Sequence, residues 1–443
     1  MTTSDPCRSH TRFHFEPLRW YLAALVFALS FVMGFLWNLF NALSTVSERV
    51  LGISEQSIEY DVMIGSAALV VAAPFVAHII DTGRFRQAMI FSSICLCLGS
   101  WIIVIGVIRA DEWVMFIGLA LNGLAGPMAM FGGAALSDLW FPPHQRTQAT
   151  SLLCLANYIG VGFAFFVGAS VVQETDGIDK FVNLTISIAT ITTTVLLCTL
   201  IRFPSAPEKP VSCSQNFRQQ IEKPDVVSQY TSLFRSTDFL RICICYGLGS
   251  GLYAGWCGSL NENLASYGLN QANSGWIGMA SLLGGFVGGT VGSVLVDRRQ
   301  VSLQTMALVL FYISSAACGL FILGCYLKWS LIELIVIATI IGAGINGTIP
   351  ILFELALETA FPVPNAAIGN VLTAVNGLGA VVFLCVPIGK YGAQWMNWVP
   401  FLACVISIPI VSYGRIQCRR SEYDTGGLTA NLLEHESQCD SLM

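Results

Sequence analysis

Asp81-Thr82-Gly83-Arg84-Phe85-Arg86 is a short charged loop between two apolar stretches, residues 61–80 and 87–109. A second charged loop, Asp297-Arg298-Arg299, follows the apolar stretch 274–296 and lies 216 positions later (297 minus 81). Asp138 with Phe141-Pro142-Pro143 is echoed by Glu358 with Phe361-Pro362-Val363-Pro364 at an offset of 220, and Trp37 by Trp256 at an offset of 219. Three similar offsets in chain order mark an internal repeat of two halves, as in membrane carriers built from parallel repeats.

Charged residues make up 11% of the 443 residues, against about 25% in soluble proteins, so most of the chain cannot face water. A helix needs about 20 apolar residues to cross the hydrocarbon layer, and twelve such stretches are present. They lie near 18–43, 61–80, 87–109, 113–137, 149–172, 181–203, 238–262, 274–296, 303–326, 331–356, 366–389 and 394–416. Of the 22 Lys and Arg, only Arg49, Arg109, Lys180, Lys328 and Lys390 fall on the face away from the termini, which predicts that both termini are cytoplasmic. Residues 1–17 form a polar segment without the apolar core of a cleavable signal, and 417–443 an acidic tail. Most of the 15 cysteines lie inside the spans as small apolar residues.

Between the six-span halves, 18–203 and 237–416, lies a Pro-, Ser- and Gln-rich linker, 204–236, whose composition predicts no packed core of its own. The loop at Asp81, Gly83, Arg84 and Arg86 resembles the cytoplasmic loop motif of the major facilitator superfamily. The resemblance implies an all-α polytopic membrane protein with that superfamily's fold, twelve transmembrane helices and pseudo-two-fold symmetry. With Arg146, Asp297 and Arg298, the loop residues form an expected gating set, carboxylates and guanidinium groups clamping the halves in one state and releasing in the other. Either loop alone also reads as a stop-transfer charge cluster.

Leu121-Asn122-Gly123-Leu124-Ala125-Gly126-Pro127 and Trp140-Phe141-Pro142-Pro143-His144-Gln145-Arg146 resemble solute carrier family 49, which includes the feline leukaemia virus subgroup C receptors. Tyr253-Ala254-Gly255-Trp256, Gly275-Trp276-Ile277-Gly278 and Phe353-Glu354-Leu355-Ala356-Leu357-Glu358-Thr359 look most like that family's member 4 branch. The resemblance implies a secondary transporter of a small organic solute. Proton-driven pyridoxine export from lysosomes is the first expectation, and choline or ethanolamine transport, as in the virus-receptor branch, the second. Haem transport and a non-transporting receptor rank lower.

The resemblance also implies that helices 1, 4, 7 and 10 face a central cavity with the substrate near the midplane. Trp37 and Asn38, placed in the inner part of the first span, and Tyr253 and Trp256 in the seventh then become substrate-binding candidates, their rings suited to stacking on a pyridine or holding an ammonium group. Lipid-facing aromatics are the alternative. Asn157 and Tyr158 in the fifth span and Asn376 in the eleventh fall where the virus receptors present Gln, and helix-to-helix hydrogen bonding is the competing role for Asn376. Glu354 and Glu358, one turn apart, are the proton-coupling candidates, with a salt bridge to a loop arginine such as Arg146 as the alternative. Asn346-Gly347-Thr348-Ile349-Pro350 predicts a gating hinge.

No nucleophile with a base, metal-ligand spacing or phosphate loop is visible, so an enzyme, a metal and a cofactor are not expected. The expected partners are the solute, protons and the lipid bilayer, with no nucleic acid, and a monomer is expected. A lysosomal membrane is favoured over the plasma membrane. Asn183-Leu184-Thr185 has the glycosylation pattern but sits at a span's start, so it is expected to be unmodified.

Overall fold

Apolar stretches of helix length separated by Gly, Pro and charged loops fold here into a bundle of twelve membrane-spanning helices in a computed structural model. The described residues are 17–43, 47, 49, 51–52, 55–170, 178–207, 211–220, 226–298, 300–386 and 393–424. Arg299, Lys390, residues 1–16 and the acidic tail from 425 onward lie outside them.

The first half comprises α1 (Leu18–Trp37), α2 (Glu55–Asp81), α3 (Phe85–Arg109), α4 (Glu112–Pro127, continued to Trp140), α5 (Arg146–Ser170) and α6 (Ile178–Ile201). The second half comprises α7 (Thr237–Tyr246, continued to Gly258), α8 (Gln271–Asp297), α9 (Leu303–Leu327), α10 (Leu331–Thr359), α11 (Asn365–Leu384) and α12 (Trp398–Ser412). Eleven of these helices are long and apolar enough to cross a membrane. α4 is composite, its parts joined by a π-helical segment, Met128–Gly132, and so is α7, joined by a π-helical segment, Gly247–Gly251. Three glycines in that segment lower its helix propensity, and π-bulges of this kind concentrate at functional sites.

The repeat read from loops is deeper in the fold. After α3 the chain turns through left-handed Ala110 (φ 50°) into the N-cap Asp111, and after α9 through left-handed Lys328 (φ 55°) toward the N-cap Ser330. The first span stops at Asn38 and restarts as a short helix, Leu39–Ala42; the seventh does the same at Ser259, before Leu260–Ala265. Gly123 of α4 abuts the Gly65 carbonyl of α2, and Gly342 of α10 abuts the Ser281 carbonyl of α8, both so closely that a Cβ would overlap the oxygen. Small residues at matched positions let these helix pairs approach in lipid, where apolar burial gives no drive for helices to associate.

Large apolar side chains such as Val70, Val71, Phe75, Val287 and Ile332 remain exposed on the outside of the bundle, where lipid replaces water as solvent. The linker is more ordered than its composition suggests. Its residues 213–220 and 226–235 are helical, and Val211, Ser212, Ser214 and Gln215 are buried because they pack on the ends of the spans. The described cysteines are free thiols, most of them buried. Asn183 lies within α6, with Thr185 buried and bonded to the Val182 carbonyl.

Candidate functional site

The two charged loops meet the opposite halves at the end of the bundle that carries the linker. α2 ends at Asp81, and Gly83 in the left-handed region (φ 81°) turns the chain into α3. The Asp81 carboxylate accepts hydrogen bonds from the backbone N–H of Ala366 (3.2 Å) and Ala367 (3.1 Å), the first turn of α11. Asp297, ending α8, accepts from the N–H of Thr147 (3.3 Å) and Gln148 (2.8 Å), the first turn of α5. Helix N-termini expose unpaired N–H groups and the positive end of the dipole, so each carboxylate caps a helix of the other half. The expected guanidinium clamp is built differently. Arg84 and Arg298 are exposed, and Arg86 donates to the Leu200 carbonyl (3.2 Å) within its own half. At these two loops the halves are joined by carboxylates on main-chain N–H groups, a geometry that needs no arginine from the loops.

Between the two caps lies a buried ionic network. A short tail helix, Arg419–Asp424, inserts the Arg420 side chain among the span ends, where it is 2% exposed. Its guanidinium donates to Glu354 (Nη2 to Oε2, 2.6 Å), to Glu358 (Nε to Oε1, 2.9 Å) and to Asp138 (Nη1 to Oδ1, 3.3 Å). Burial alone disfavours that charge, but Glu358, Glu354 and Asp138 outweigh it and hold the guanidinium pKa well above its ordinary value. Asp138 is the hub, also accepting from Asn365 of α11 (2.6 Å) and lying 3.5 Å from Arg146. Arg146 further reaches Asp424 of the tail (3.5 Å) and Ser212 of the linker (3.0 Å). Thr150 of α5 donates to Glu354. Glu354 and Glu358 therefore sit in an ion-pair network, as the salt-bridge alternative foresaw. Their cation is Arg420 rather than Arg146.

The aromatic candidates are split between two surroundings. Tyr253 and Trp256 are buried inside the second half, their rings 5.5 Å apart, so the lipid-facing alternative does not hold for them. Tyr253 shares a hydrogen bond with Ser281 (2.6 Å), and Trp256 donates to Asn397 (2.9 Å). Trp37 is the last residue of α1 rather than an inner one, because the helix breaks at Asn38, and its half-buried ring lies against Gly65 of α2. The structure thus does not bring Trp37 and Tyr253 together.

Neighbouring Asn157 and Tyr158 differ by a helical turn angle and by role. Asn157 is buried and donates to the Ser30 carbonyl (3.3 Å) and Met33 Sδ (3.1 Å), so its amide joins α5 to α1. Tyr158 stays half-buried and faces Asn376 of the other half. Asn376, also half-buried, donates to Ser250 in the π-helical segment of α7 (2.7 Å). Trp37, Asn38, Tyr158 and Asn376 are the substrate candidates that keep accessible surface.

Arg420, Asp424 and Asn365 complete the network, yet no motif marks them. The repeat had marked Asp138. Asn346 of α10 is fully buried and lies beside the Tyr253 hydroxyl. Pro350 one turn later withholds an N–H from the Asn346 carbonyl, yet α10 runs unbroken from Leu331 to Thr359.

Known proteins resemble this chain in sequence and fold. Residues 25–387 match the family model described as Major Facilitator Superfamily. The Solute carrier family 49 member 4 homolog of Xenopus laevis is 27% identical over 431 residues, covering 92% of each chain. The Choline/ethanolamine transporter FLVCR1 of Felis catus is 24% identical over 374 residues, covering 82% of this chain and 66% of that protein. Among solved structures, the E. coli fucose:proton symporter FucP superposes with a TM-score of 0.66 at 13% identity, covering 89% of this chain and 98% of that one, a likeness of fold. With its two six-helix halves, paired charged loops and relatives in solute carrier family 49, the chain belongs to the Major Facilitator Superfamily and is one of its transporters.

Proposed function

We propose that this transporter moves a small organic solute by alternating access, coupled to protons, with pyridoxine as the first substrate and choline or ethanolamine as the second. The observation that carries this reading is the closed linker end. Asp81 and Asp297 each cap a helix of the opposite half, a pair of contacts that must both break for that end to open. The positive-inside pattern supports a cytoplasmic position for that end and both termini. The solute would meet Trp37, Asn38, Tyr158 and Asn376, where two rings and two amides can recognise a heteroaromatic ring with hydroxyl groups. Tyr253, Trp256 and Asn346 would shape the wall behind them.

The network supports the proton-coupled reading. Protonation of Glu354 or Glu358 weakens its hold on Arg420, so a proton arriving from the far side favours opening at the linker end. An acidic lumen facing a neutral cytoplasm would then drive export, which fits a lysosomal membrane better than the plasma membrane. The choline reading has its own support: relatives named choline/ethanolamine transporters, and aromatic rings suited to a quaternary ammonium group.

Purified protein in liposomes, given labelled pyridoxine or choline with and without an inward-acid pH gradient, tests both. Gradient-driven pyridoxine movement supports the first reading, and gradient-independent choline movement the second. Movement of neither removes both.

A further inference from the structure

The repeat leaves a vacancy that the chain's own tail fills. In the first half, the carboxylate ending α4, Asp138, is 3.5 Å from Arg146 at the start of α5. The repeat carries Asp138 to Glu358 at an offset of 220, and the capped amides, Thr147 matched by Ala366 and Gln148 by Ala367, set an offset of 219 at the next helix start, which carries Arg146 to the neutral Asn365. The second half therefore has the carboxylate without its cation. Arg420 stands in that place. It comes from the tail helix and reaches Glu358 at 2.7 Å, Glu354 at 2.6 Å and, across the interface, Asp138 at 3.3 Å.

We infer that Arg420 is the movable cation of the linker-end gate, and that the tail helix must withdraw from the Glu354–Glu358–Asp138 pocket each time this end opens. Three features make the insertion a latch rather than a static brace. The guanidinium is bonded to both halves at once, so separating them breaks at least one buried ion pair, which is costly when the remaining partner stays buried. The cation comes from outside both bundles: the tail helix has six residues and docks through Ser421 N–H to Glu358 (2.8 Å), Ser214 N–H and Oγ to Asp424 (2.7 and 3.1 Å), and the Tyr423 ring on Phe217 (4.7 Å) and Phe361 (5.5 Å). Those contacts also tie the linker to the tail, so both connecting segments move with the gate. Arg420 acts as a positioning residue: it holds Asp138 and Glu354, whose helices lead to the two carboxylate caps.

The inference rests on reading the chain as an alternating-access carrier, but its test needs no substrate. Hydrogen–deuterium exchange on the detergent-purified full chain compares native protein with Arg420→Gln and Arg420→Lys. Release of the latch exposes the capped amides of Thr147, Gln148, Ala366 and Ala367. Their exchange should rise by about tenfold or more in Arg420→Gln and by less in Arg420→Lys, which keeps the charge but loses the fork. Exchange around Asn263 and Asn397, away from the linker end, should not change. Unchanged protection at the four capped amides overturns the inference, as does a uniform rise over the whole chain, which marks a mere structural brace. If Arg420→Gln alone does not fold, Glu354→Gln/Glu358→Gln/Arg420→Gln, which removes the stranded charges, carries the same comparison with the same two outcomes. Loss of pyridoxine transport alone would leave this result standing, so the two readings fail separately.

Discussion

Asp297 accepts a 2.8 Å hydrogen bond from the main-chain N–H of Gln148, a residue 149 positions away in the other half of the molecule. Asp81 repeats the contact toward Ala367 at 3.1 Å. A carboxylate at a helix N-terminus is worth about 0.3–2 kcal/mol, enough to bias two states and small enough to be broken in every cycle. Asp81→Asn or Asp297→Asn keeps the shape and removes the charge. Each should shift the closed linker end toward opening by that range, read as faster exchange of the capped amides, and the double variant should add the two effects.

Glu354→Gln should remove pH dependence from transport while leaving the folded protein intact. The amide oxygen can still accept from Arg420 and its NH2 can donate to the Thr150 hydroxyl, but the amide cannot take up a proton. Uptake into liposomes at several external pH values checks this. A retained pH dependence assigns coupling to another group.

Tyr158 and Asn376 should tune the solute, and Asn157 should not. Asn376→Ala is expected to raise KM several-fold, with Tyr158→Phe milder because the ring remains. Asn157→Ala breaks a buried hydrogen bond between α1 and α5 and should lower thermal stability by about 1 kcal/mol. Concentration-dependent uptake and thermal unfolding in detergent separate the two outcomes.

Pro350→Ala restores an N–H facing the Asn346 carbonyl. If α10 bends there during transport, the variant should keep substrate binding and slow turnover. Unchanged transport removes the hinge.

Much of the fold was legible because lipid imposes a coarse demand: long apolar runs, with charge between them. The breaks at Asn38 and in the π-helical part of α7 were not. They depend on how Trp37 packs on Gly65 and how Gly251 abuts Asn376, contacts that no local pattern records. Asn157 and Tyr158 show the same limit within the site. Adjacent residues on a helix point about 100° apart, since 3.6 residues make a turn, so one amide joins a neighbouring helix while the next ring faces the other half. Arg420 was hidden most completely. It stands in a polar tail that reads as solvated, and its partners lie 62, 66 and 282 positions away. Only the missing cation at Asn365, weighed against Arg146 in the first half, pointed to a substitute supplied from elsewhere.

The most direct measurement is a pair of distances taken by electron spin resonance on the full chain. Labels at exposed Gln87 and Gln300 report the linker end, and labels at exposed Trp113 and Ile332 report the opposite end. Alternating access predicts that, on adding the transported solute and acidifying, the first distance lengthens as the second shortens. Two distances that stay fixed, or lengthen together, would contradict it.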